Sequence, residues 1–90
     1  MSPVGELYRR ERERQARRWP SLGTSQVERV VALSLARAFV DLTAAELVRA
    51  MAEGSPRCDG WADAQQSRQI GRMVHTALAI AAAERGEDGG

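Results

Sequence analysis

A chain of 90 residues has room for one small hydrophobic core, because folding at this length buries only roughly 60–65% of the unfolded surface. Plentiful Ala, Leu, Val, Arg and Glu, with only four aromatics (Tyr8, Trp19, Phe39, Trp61), favour helices over strands and predict an all-α fold. The net charge of +1 hides an uneven spread: residues 1–20 carry six Arg against three Glu, and residues 21–90 carry seven Arg against nine acids.

Ser2 before Pro3 reads as an N-cap with proline at the first helical position, and Trp19-Pro20 closes the helix it opens. Helix one is expected over residues 3–18, with few apolar residues (Val4, Leu7, Tyr8, Ala16) and with Glu6/Arg10 and Glu13/Arg17 spaced for i,i+4 pairing. So thin an apolar face predicts a helix at the edge of the fold or projecting from it. After the turn Pro20-Ser21-Leu22-Gly23, Ser25 with Glu28 forms a capping box for helix two, about residues 25–41. Its apolar residues run nearly all round: Val27, Val30, Val31, Leu35, Ala38 and Leu42 make one broad face, and Ala32, Leu33, Ala36, Phe39 and Val40 cover most of the rest. Such a helix is central, or faces a partner with its second side. Ser34 within it is expected to bond back to a carbonyl one turn earlier.

Thr43 with Glu46 is a further capping box, and Gly54 before Ser55-Pro56 is a stop, so helix three is expected over 44–53 with Leu47, Val48 and Met51 inward. The stretch Ser55 to Gly60 reads as a loop. Asp63 with Gln66 caps helix four, about 64–84, although Asp59 is an alternative cap; Trp61 beside it reads as a core anchor. On this helix Gln65, Arg68, Gln69, Arg72 and Thr76 share one face, opposite Ile70, Met73, Val74, Ala77, Leu78 and Ala81. Residues 1–85 read as a single domain, and 86–90 as a disordered tail.

Leu42-Thr43-Ala44-Ala45-Glu46-Leu47-Val48 resembles the first helix of helix-turn-helix units, and Ser67-Arg68-Gln69-Ile70-Gly71-Arg72-Met73 is similar to the second helix in small DNA-binding domains of phage and plasmid replication proteins. The resemblance covers about residues 42–80 and implies a helix-turn-helix-like corner between the last two helices. It departs from the pattern in two places: nine residues separate Glu53 from Asp63, where the compact unit uses three or four, and the β-wing that follows the second helix in winged relatives is not expected. The resemblance implies that Gln65, Arg68, Gln69 and Arg72 read bases in the major groove of double-stranded DNA, while Arg9, Arg10, Arg14, Arg17 and Arg49 touch phosphate. Such a chain would be a small DNA-binding regulator of transcription or an accessory protein, commonly dimeric.

Two further readings stay open beside it. Gln and Arg are good helix formers, so the same stripe also suits a solvated face, and the glutamates of helix one blunt its arginine field. The apolar excess of helix two, and Ala79 to Ala83 on helix four, suit docking on a second copy or on a larger protein, as in an adaptor or inhibitor. Lone Cys58 and lone His75 supply no internal disulfide and no protein metal site, and no convergent catalytic set is visible, so neither an enzyme, a cofactor nor a small-molecule substrate is expected. No apolar run approaches ~18 residues and the charged start lacks a signal region, so a cytoplasmic protein without membrane contact is expected.

Overall fold

The computed structural model of the protein describes residues 2–54 and 63–86, with side chains from residue 67 onward in the second stretch. Its helices are α1 (Pro3–Arg18), α2 (Thr24–Ala38), α3 (Ala44–Gly54) and α4 (Asp63–Glu84), and no strand occurs among the described residues. This is the all-α, four-helix fold that the composition predicts. The expectations for the loop 55–60 with Cys58 and the alternative cap Asp59, for Trp61, for the side chains of Asp63, Gln65 and Gln66, and for residues 87–90 lie outside the described residues.

Most helix ends are set by short-range chemistry. Ser2 Oγ accepts the Gly5 N–H at 3.1 Å, with Pro3 filling the first helical position, where its missing N–H is not needed. At α3 the capping box is complete: Glu46 Oε1 accepts the Thr43 N–H at 2.9 Å, and Thr43 Oγ1 accepts the Glu46 N–H at 3.1 Å. At α2 the cap lies earlier than the sequence suggests. Gly23 is the N-cap, its N–H donating to Gln26 Oε1 at 3.0 Å, while Ser25 is already helical and Glu28 is buried in the interior. The helix also stops at Ala38 rather than Asp41, because the Leu42 N–H turns back to the Phe39 carbonyl at 3.1 Å and delivers Thr43 as the next cap. Gly86, in the left-handed region at φ 80°, turns the chain after α4, so the first residue of the expected disordered tail is part of an ordered turn.

The helices form a ring in which α1 packs on α2 and α3, and α4 packs on the other sides of the same two helices. Helices α1 and α4 share no contact among the described residues. The core is built from Tyr8 of α1, Val31, Ala32 and Leu35 of α2, Leu47, Ala50 and Met51 of α3, and Ile70, Met73, Val74, Ala77 and Ala81 of α4.

α1 does not project. Tyr8 is fully buried, and α3 comes so close that a Cβ on Gly54 would lie 2.8 Å from Tyr8 Cδ1 and 3.2 Å from the Gly5 carbonyl oxygen. The contact is fastened at both margins. Arg12 Nε donates to the Gly54 carbonyl at 3.1 Å, and Glu53 Oε1 accepts from the Ser2 N–H at 2.9 Å and the Ser2 hydroxyl at 2.8 Å. One aromatic ring under a side-chain-free site thus anchors a helix that is otherwise too polar to bury a stripe. Ser34 also departs from expectation, its hydroxyl reaching across to Glu11 Oε2 of α1 at 3.4 Å.

Candidate functional site

α2 and α4 run side by side in the same direction. At their C-terminal ends Arg37 forks onto Glu84, at 2.8 and 2.6 Å, and the Arg85 guanidinium donates to the Ala36 carbonyl. Along their middle portions the two helices leave a groove of about 470 Å³. Its apolar lining is Val30 and Leu33 from α2 with Met73, Ala77 and Ile80 from α4, and its polar lining is Arg29, Gln69, Arg72 and Thr76. Val30 is 36% exposed and Ile80 is 40% exposed, values that leave apolar surface open to solvent on both walls. None of the lining residues is acidic, and Arg29 and Arg72 have no ion pair or hydrogen bond among the described residues.

The stripe expected on α4 is present as a face. Arg68, Gln69, Arg72 and Thr76 are exposed, while Ile70, Met73, Val74, Ala77 and Ala81 are buried behind them. α4 starts at Asp63, so Arg68, Gln69 and Arg72 occupy its first half and Thr76 its second. Gln69 and Arg72, however, belong to the α2–α4 groove.

The arginines assigned to phosphate are placed differently. Arg9 lies against Glu6 and also reaches Glu13 at 3.2 Å; Arg10 is 3.6 Å from Glu6. Arg14 forks onto Glu11 at 3.0 and 2.7 Å, and Arg49 pairs with Glu53 at 3.3 Å. Of the five, only Arg17 has no such partner among the described residues. The pairing Glu6/Arg10 foreseen from the sequence forms, whereas Glu13 takes Arg9 in place of Arg17. These contacts hold the carboxyls below their ordinary value of 4.5: Glu6 chiefly through the hydrogen bond from Arg9, and Glu11 chiefly through that from Arg14. The same bonds push Arg9 and Arg14 further up. Three glutamates thus offset half of the six arginines of α1, those at Arg9, Arg10 and Arg14, and α1 has no contact with α4 among the described residues.

Sequence reasoning passed over Arg29 and reached Val30, Leu33 and Ile80 only within broader apolar stretches, helix two and Ala79 to Ala83. The one signal that pointed to the α2 members was the apolar character of α2 all round its axis, which leaves residues over once one face is buried. Ala79 to Ala83 does not form one outward surface, since Ala81 is in the core. Among the described residues no group of three His, Cys, Asp or Glu side chains is placed to hold a metal ion, and no helix is long and apolar enough to cross a membrane. Set against protein-family models, curated proteins and solved structures, the chain matches none.

Proposed function

We propose that this protein is a helical protein-interaction module, an adaptor or inhibitor, that docks a partner in the groove between α2 and α4. The observation that carries this reading is the pair of half-exposed apolar walls, Val30 and Ile80, around a recess rimmed by Arg29 and Arg72, which no carboxylate among the described residues neutralises. Surface of this composition is stable when a partner covers the apolar part and satisfies the polar rim. The test is selection of binders from a displayed library of helical peptides, repeated on a Val30→Glu, Ile80→Glu variant. Binders that lose the variant support docking in the groove. Failure to select any binder, or binders indifferent to the variant, overturns it.

A second reading, a small DNA-binding regulator or accessory protein, is favoured by the exposure of Arg68, Gln69 and Arg72 together in the first half of α4. In that case Arg29 would be the neighbouring phosphate contact. Fluorescence anisotropy with duplex DNA at two salt concentrations tests it: the reading requires a steep salt slope and loss of binding on Arg68→Ala with Arg72→Ala. Binding unaffected by that double substitution removes it.

A further inference from the structure

We infer that the occupant of the α2–α4 groove is an acidic amphipathic helix of another protein, an inference that rests on the docking reading above. The shape argues for a helix. The groove runs along α4 from Gln69 to Ile80, about 16 Å at ~1.5 Å per residue, which accommodates side chains spaced i, i+3 or i+4, and i+7 along one helix face. The charge argues for carboxylates. Arg29 stands on the α2 side and Arg72 on the α4 side, both exposed and without a partner among the described residues, so a helix lying between them meets a cation on each flank of its apolar stripe.

Other occupants satisfy only one of these two features. A second copy docked groove to groove would cover the apolar walls and bring no carboxylate to Arg29 and Arg72, since none of the lining residues is acidic. A nucleic-acid backbone would answer the arginines and leave Val30, Leu33 and Ile80 facing phosphate and water. An apolar stripe flanked by Glu or Asp answers both, with the apolar contact supplying affinity and the arginines selecting charge.

The experiment uses the full chain and three synthetic helical peptides of about five turns, ~18 residues, sharing one Leu/Ile face and carrying Glu, Gln or Lys at the flanking positions. Anisotropy is read at low and high salt on the wild type, on Arg29→Gln with Arg72→Gln, and on Val30→Glu with Ile80→Glu, with circular dichroism to establish that each variant is folded. The Glu peptide is expected to bind about threefold to thirtyfold tighter than the Gln peptide, the sum of two exposed ion pairs, and the Lys peptide weakest. High salt and the arginine double variant should each erase the ranking while retaining the common apolar affinity; the Val30/Ile80 variant should lose all three peptides. Equal binding of the three peptides by the wild type overturns the acidic partner and leaves docking standing, whereas no binding of any peptide overturns both. A dimer in light scattering that the Val30/Ile80 variant disperses assigns the groove to a second copy and overturns the inference. Displacement of the Glu peptide by duplex DNA, lost with Arg29 and Arg72, does the same.

Discussion

At Gly54 the absence of a side chain decides how closely α3 approaches α1. A Cβ there would meet the Tyr8 ring at 2.8 Å and backbone atoms of Gly5 and Arg9 at 3.2 and 3.4 Å, and the backbone on that side cannot swing away as a flexible side chain could. Gly54→Ala is therefore expected to cost about 1–3 kcal/mol, read as a lower denaturant midpoint at unchanged slope. From sequence this glycine reads only as a helix stop, because its second role depends on neighbours 45–49 residues away in the chain. Next to it, Glu53 is held below its ordinary value of 4.5 by the Ser2 N–H first, then the Ser2 hydroxyl, with Arg49 adding to them. A carboxyl lowered in the folded state adds stability that is present above the unfolded value and is lost as pH falls through the folded one. Thermal unfolding measured from neutral pH downward should show the wild type losing stability below about 4.5, with Glu53→Gln showing a shallower acid limb.

Elements were legible where their ends are written in adjacent residues. The Thr43/Glu46 box and the Ser2-Pro3 start were both readable, since a cap is a contact over three residues and needs no tertiary partner. Thr43→Ala is expected to cost about 1 kcal/mol in equilibrium unfolding, because it leaves the Glu46 N–H without its side-chain acceptor. The orientation of α2 was not legible. Val30 and Ala38 share one broad apolar face with Val27, Val31 and Leu35, yet both are exposed, while Ala32 and Ala36 outside that face are buried. A helix apolar on every side carries no periodic signal to say which face wins; its neighbours decide. On α4 the alternation is clear, and the buried and exposed faces fall as the sequence dictates. Within that helix Gly71 has open space around a would-be Cβ among the described residues. Gly71→Ala should stabilise the protein by about 0.4–1 kcal/mol through the unfolded chain, seen as a raised melting temperature without change in the groove.

At the scale of the whole molecule, the ring of helices sets which surfaces can act together. α1 is tied in by Tyr8 and not by a stripe, so Tyr8→Ala should cost about 3–5 kcal/mol, a large part of a typical domain's stability, and lower one cooperative transition for the whole chain. Fraying of α1 alone, with α2 to α4 holding their melting temperature, would be the opposite result. The sequence by itself determined the helical class, the four segments, the caps of α1 and α3 and the two faces of α4. Each of these follows from composition or from contacts a few residues apart. Only the tertiary structure decided that α1 is seated on α3 and that Arg29 and Val30 of α2 come to lie beside Arg72 and Ile80 of α4. Those juxtapositions join residues some forty to fifty positions apart. They depend on how the helices share one core, which no local pattern specifies.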